Sequence, residues 1–161
     1  MQTPPVQPDP WGALRQLEGD WKGSSDGQPG VSTSERHYSF ILGGKFLHGR
    51  NRSVYKPQEK NPKGEIHENL DYFSYDRTRK KLVLRQFHGE GFVNQYVRVD
   101  NGENPKTFVF ETESIENIPA GWKARETYRQ LDGGEWQETF ELAAPGKPYE
   151  VYSETRLTKA Q

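Results

Sequence analysis

The sequence predicts an all-β fold: ten antiparallel strands in an up-and-down meander that closes into a barrel, with one short N-terminal helix covering one end. Three observations predict it. Hydrophobic residues make up only 31% of the 161-residue chain and charged residues 28%, at a mean hydropathy of −1.04, yet 4 Trp, 8 Tyr and 8 Phe are spread along it. Disordered chains of such low hydrophobicity are poor in aromatics, so the composition fits a thin-walled shell with a polar interior better than a solid core. Turn formers recur at short, regular spacing, and only one segment shows a helical period.

The elements follow in order. Residues 1–8, with the run Gln2-Thr3-Pro4-Pro5-Val6-Gln7-Pro8, read as a Pro-rich lead-in that is extended and poorly ordered. Residues 9–161 form a single domain, with no internal repeat and no linker. Asp9 reads as a helix N-cap with Pro10 at the first helical position. Trp11, Leu14 and Leu17 follow at helical spacing, and the helix ends by Gly19. Strands are expected over 20–25, 31–42, 45–55, 65–75, 80–88, 91–99, 106–114, 121–130, 135–143 and 148–158. Between them lie Asp26-Gly27, Gly43-Gly44, Asn61-Pro62, Gly89-Glu90-Gly91, Asn101-Gly102, Pro119-Ala120-Gly121, Asp132-Gly133-Gly134 and Pro145-Gly146. A ten-strand meander must curl and close to protect its edges.

Composition also excludes. Net charge is −1, from 22 Lys+Arg against 23 Asp+Glu, so there is no basic footprint for nucleic acid. The tightest basic cluster, Arg77, Arg79, Lys80 and Lys81, flanks a hairpin turn and reads as a solvated face. No apolar run approaches the ~18 residues of a membrane span. With 0 Cys there is no disulfide, thiolate nucleophile or Cys-based zinc site. The compartment stays open between cytoplasm and an exported form whose signal has been removed. A homodimer is compatible with everything above.

The segment Leu17-Glu18-Gly19-Asp20-Trp21-Lys22-Gly23 carries the Gly-x-Trp pattern that opens the first strand of lipocalins and fatty-acid-binding proteins. The chain resembles that calycin superfamily. The resemblance implies that Gly19 lets the chain pass closely over the barrel floor, that Trp21 plugs it, and that a late Arg, here Arg156, lies against the Trp. It resembles more narrowly the nitrobindin-like haem barrels and their uncharacterised bacterial relatives. Gly19-x-Trp21-x-Gly23, His67-Glu68, His88-Gly89-Glu90-Gly91 and Ala143-Ala144-Pro145-Gly146-Lys147-Pro148 carry that likeness, while Ser25 stands where a further Gly is expected. In the haem-binding members the last strand carries the iron-ligating histidine. Tyr152 falls there in this chain, and a phenolate ligand needs a partner that ionises it. Haem, with Tyr152 as axial ligand and His88 as a distal group, is therefore the alternative expectation. No cofactor is the first one.

Strand alternation supplies the candidate lumen residues. The resemblance puts Glu150, Tyr152, Glu154 and Arg156 on the inner face of the last strand, although Tyr149, Val151, Ser153, Thr155 and Leu157 are the more hydrophobic set. Leu82, Leu84, Gln86 and His88 form the inner face of strand 80–88. Strand 121–130 stays ambiguous between Trp122, Ala124, Glu126 and Tyr128 and the set Lys123, Arg125, Thr127 and Arg129. The expected ligand contacts are Gln86, His88, Arg125, Tyr152, Glu154 and Arg156, with Arg156 or Arg125 anchoring a carboxylate-bearing or hydroxylated amphiphile. His37, His48 and His67 lie on three strands without metal-binding spacing, so no metal is expected. The leading expectation is a non-enzymatic small-molecule carrier or sensor. The alternatives are nitrobindin-like haem chemistry of the peroxynitrite-isomerase type, and a cofactor-free isomerase, cyclase or lyase using His88 with Glu154 as acid and base.

Overall fold

Buried and exposed residues alternate along most of β1, β2, β3 and β8, and all neighbouring strands pair antiparallel. The computed structural model describes residues 1–4 and 8–160. The lead-in expected over 1–8 therefore falls partly outside the described residues. Ten strands follow in sequence: β1 (Gly19–Gly27), β2 (Ser32–Ile41), β3 (Phe46–Tyr55), β4 (Glu65–Asp76), β5 (Lys81–His88), β6 (Val93–Arg98), β7 (Thr107–Glu116), β8 (Lys123–Gln130), β9 (Trp136–Ala143) and β10 (Glu150–Lys159). Each pairs with the next, and β1 pairs with β10 from Trp21↔Lys159 to Gly27↔Ser153, which closes the barrel. Among the described residues no helix is long and apolar enough to cross a membrane.

The helical segment departs from expectation in type and extent. It is a 3₁₀ helix over Gly12–Leu17, beginning two residues after Pro10. Asp9 accepts the Trp11 backbone N–H at 3.2 Å and pairs with Arg15, tying the entry to the turn rather than capping an α-helix. Its apolar residues still do the expected job. Trp11, Leu14 and Leu17 are buried and join Trp21, Leu47, Phe73, Leu82, Leu84, Phe108, Phe110, Tyr128, Trp136 and Leu157 in one apolar cluster that fills the base of the barrel. Phe73, Phe110 and Tyr128 meet edge to face at 5.5–6.2 Å, a geometry that adds to area burial.

The opening motif works, with a different cation. Trp21 is buried, and its indole N–H donates to the Leu17 carbonyl at 2.7 Å. Gly19 sits at φ +132°, and a Cβ there would come within 2.5 Å of Lys159 Nζ. That ammonium lies 4.6 Å from the Trp21 ring centre and donates to the Glu18 carbonyl at 3.1 Å. Cross-strand partners point to the same face, and the partner of Trp21 is Lys159, whereas Arg156 sits opposite exposed Ser24. Arg156 therefore points outward, where its Nε donates to Glu135 at 2.6 Å. The expected Trp21–Arg156 clasp is a Trp21–Lys159 clasp.

The last strand explains the misreading. The β9–β10 register shifts between Val151 and Ser153, leaving Tyr152 as an extra residue. A bulge reverses the inward set beyond it. Tyr152 and Ser153 both border the interior, then Thr155 and Leu157 point in, while Glu150, Glu154 and Arg156 are exposed. Strand β8 is now unambiguous: Ala124, Glu126 and Tyr128 are buried.

Candidate functional site

Above the apolar base the inward positions turn polar, and above those the barrel is open. The result is a cavity of about 590 Å³. One side is apolar, from Ile115, Ile118, Trp122, Phe140 and Leu142, with Tyr152 set edge-on against Phe140 at 5.6 Å. The other side and the floor are polar, from β2–β6 and the inner ends of β8 and β9.

The floor is a connected network of buried side chains. Arg36 and Glu138 form an ion pair at 2.8 Å, and the guanidinium also donates to Asn51 Oδ1 at 2.9 Å and to the Tyr38 hydroxyl at 3.3 Å. Asn51 donates to Asn69 Oδ1 (2.9 Å), and Asn69 donates to Asp71 Oδ1 (2.8 Å). Gln86 donates to Glu126 Oε1 at 3.2 Å, the Tyr96 hydroxyl donates to Gln86 at 2.8 Å, and Asn94 donates to that hydroxyl at 3.0 Å. A buried network of this kind is stable only where its members find partners. Two atoms in the cavity wall have none: Glu126 Oε2 and Asn94 Oδ1, on side chains only 4% and 6% exposed.

Proton affinities follow from this crowding. Burial pushes Glu126 well above the ordinary carboxylate range, and the neighbouring Glu138 and Asp71 push the same way. Asp71 is raised to about 7, again by burial first and by Glu138 next. Burial would raise Glu138 too, but the Arg36 charge outweighs it and holds the carboxyl below its usual range. One arginine thus favours the charged form of one carboxylate, while burial and like charge favour the neutral form of the other two.

At the mouth, β4 and the β5–β6 turn bring three groups together. His67 Nδ1 lies 2.7 Å from Glu90 Oε1, and His67 Nε2 lies 3.4 Å from His88 Nδ1. The turn His88–Gly91, closed by the Gly91 N–H donating to the His88 carbonyl at 2.8 Å, folds Glu90 back over His67. Burial first and the adjacent His67 next lower His88 to about 4, so it is neutral at physiological pH.

Of the residues singled out in the sequence, Gln86, His88 and Tyr152 line the cavity. Arg125, Glu154 and Arg156 do not. Arg125 lies on the outer wall, bound to Glu141 at 2.6 Å and stacked 4.2 Å over Tyr149. Glu154 is exposed, so the His88–Glu154 acid–base pair does not form. His37, His48 and His67 lie on three different strands, β2, β3 and β4, and His67 meets His88 at the end of β5. Sequence reasoning passed over Arg36, Asn51, Asn94 and Glu138, and left Glu126 in one of two alternative inner sets. A signal existed for two of them: Arg36 shares its face with Ser32, Ser34 and Tyr38, and Glu126 shares its face with Ala124 and Tyr128.

No family model matches the chain, and no curated protein matches it either. Among solved structures it is similar to Rv2717c from M. tuberculosis, at 19% identity and a TM-score of 0.67, over 96% of this chain and 99% of that one. A redesigned β-barrel aligns at 9% identity and a TM-score of 0.41, over 93% and 96% of the two chains. The likeness is one of fold. The closed ten-strand barrel stands, while kinship with nitrobindin-like proteins remains a resemblance of short motifs.

Proposed function

We propose that this protein is a non-enzymatic carrier or sensor that holds a neutral, amphiphilic small molecule in its lumen. The observation that carries the reading is the open cavity of about 590 Å³ itself, apolar on one side and polar on the other. That volume is in the range of small-molecule sites. One apolar and one polar wall favour a molecule with a hydrocarbon or aromatic body and a hydroxyl, amide or amine-type donor end.

Charge argues for neutrality. Among the described residues, Arg36 is the one lysine or arginine lining the cavity, and it is committed to Glu138 at 2.8 Å. A carboxylate head would enter beside Glu138 and Glu126 with no free cation to meet it. The carboxylate ligand expected from the sequence rested on Arg125 and Arg156, and both point outward.

Haem fits these residues poorly. Burial raises the Tyr152 phenol, and Tyr55, Glu65 and Glu90 push the same way; no cation favours the phenolate that ligation requires. Mixing with hemin is expected to give no Tyr152-dependent Soret band, and a band that disappears in Tyr152→Phe would restore the haem reading.

The reading is tested with two dyes of nearly the same shape. Neutral N-phenyl-1-naphthylamine is expected to bind at one site with enhanced fluorescence, and its sulfonated analogue 1-anilinonaphthalene-8-sulfonate at least ~10-fold more weakly, a difference of about 1.4 kcal/mol. Equal or stronger binding of the sulfonate would overturn the neutral-ligand assignment. Failure of both dyes would count against an open lumen.

A further inference from the structure

We propose that His67 and His88 form a divalent transition-metal site at the mouth of the lumen, with Glu90 as the carboxylate that orients His67. One donor atom from each of the three residues lies within 4.8 Å of the other two. The two ring nitrogens that face each other, His67 Nε2 and His88 Nδ1, are 3.4 Å apart. Two nitrogens ~2.0–2.1 Å from a tetrahedral metal stand ~3.3 Å from each other, so the pair already has the span of two ligands. The metal would sit between them with little movement of either ring.

The atoms behind the rings suit this role. Glu90 Oε1 is 2.7 Å from His67 Nδ1, so the proton resides on Nδ1 and the Nε2 lone pair is free to face its neighbour. Metal-bound histidines characteristically donate their other ring N–H to a carboxylate or a carbonyl. For His67 that acceptor is Glu90. For His88, ligation through Nδ1 would leave the proton on Nε2, and the group beside Nε2 is the Asn94 amide at 3.5 Å. As it stands, Asn94 Nδ2 serves both His88 Nε2 and the Tyr96 hydroxyl, while Asn94 Oδ1 is buried without a partner. Rotating that amide by half a turn presents the unpartnered oxygen to His88 Nε2–H. The acceptor that a metal-ligating His88 needs is thus one amide rotation away, in exchange for the Asn94–Tyr96 hydrogen bond.

Strand geometry explains the convergence. His67 on β4 lies two positions from Asn69, the register partner of His88 at the end of β5, so both side chains fall on the face that lines the cavity, one same-face step apart. Two histidines leave further coordination positions open toward the cavity, for water or for an oxygen or nitrogen of whatever occupies it. Imidazole ligation suits Zn(II), Co(II), Ni(II) or Cu(II) rather than Mg(II) or Ca(II). The site does not depend on the lumen ligand being neutral, or on there being one.

The test is titration of chelator-treated full-length protein with Co(II), read by visible d–d absorption, and with Zn(II), read by calorimetry and by displacement of Co(II). One saturable equivalent is expected, with Mg(II) failing to compete. Glu90→Gln should weaken binding ~10–100-fold, and His67→Ala and His88→Ala should weaken it more. His37→Ala should bind as the unaltered protein does. Should His88→Ala unfold, His88→Gln keeps a polar group of similar reach beside Asn94. Absence of saturable Co(II) binding, or wild-type affinity in a folded double His67/His88 variant, would overturn the proposal. N-phenyl-1-naphthylamine binding measured in parallel separates the two claims, because its loss with metal binding intact counts against the amphiphile reading alone.

Discussion

At the scale of single residues, what was legible was identity and what was hidden was partnership. The Gly19-x-Trp21 motif announced a plugged barrel floor, but the cation over Trp21 is set by which residue of β10 stands opposite it, and that is Lys159. Arg156→Leu should change stability by no more than about 1 kcal/mol, since its pair with Glu135 is solvent-exposed. Trp21→Ala should cost about 3–5 kcal/mol; denaturant unfolding of both variants checks this. Asp71 gives a pH signature. Its acid group, raised to about 7 in the fold, binds its proton more tightly there than in the unfolded chain. Its contribution is therefore least costly at low pH and grows as pH rises from ~4 to 7. Asp71→Asn, which cannot ionise, should be more stable than the parent at pH 8, and the gain should exceed that at pH 5 by about 2.5 kcal/mol. A gain independent of pH would show that Asp71 is not the raised group.

At the scale of elements, strand positions were readable because alternation and turn residues are local. All ten strands fall within a few residues of where the pattern put them. Facing was readable where the strand was regular: Leu82, Leu84, Gln86 and His88 do point inward on β5. It failed on β10 because a bulge depends on the partner strand, and no local residue pattern around Tyr152 betrays it. Hydrophobicity alone, which favoured Ser153, Thr155 and Leu157, was the better guide beyond the bulge than the family resemblance. A paired substitution tests the assignment. Ser153→Trp should fill the lumen and abolish N-phenyl-1-naphthylamine binding, whereas Glu154→Trp should leave it unchanged. The reverse pattern would put the bulge elsewhere.

At the scale of the whole molecule, the barrel is divided along its axis into an apolar base, a buried layer of charges and amides, and an open cavity with a histidine pair at its rim. That middle layer contributes to the low hydrophobicity of the sequence. Arg36, Asn51, Asp71, Gln86, Asn94, Glu126 and Glu138 occupy interior positions that a solid core would fill with apolar side chains. The ligand class was less legible, because it depends on which charges cancel across strands distant in sequence. Arg36 and Glu138 are 102 residues apart. The outer wall offers a rival for any apolar probe: Leu70, Phe87 and Ile66 are 37%, 43% and 57% exposed around Tyr72. Backbone-amide NMR shifts during titration with N-phenyl-1-naphthylamine decide between them. The lumen account predicts saturable shifts concentrated at Asn94, Ile115, Glu126, Phe140 and Ser153, with the base around Leu14 and Trp21 silent. Shifts centred on Ile66, Leu70 and Phe87, with the lumen residues unmoved, would place the probe outside the barrel and contradict the account.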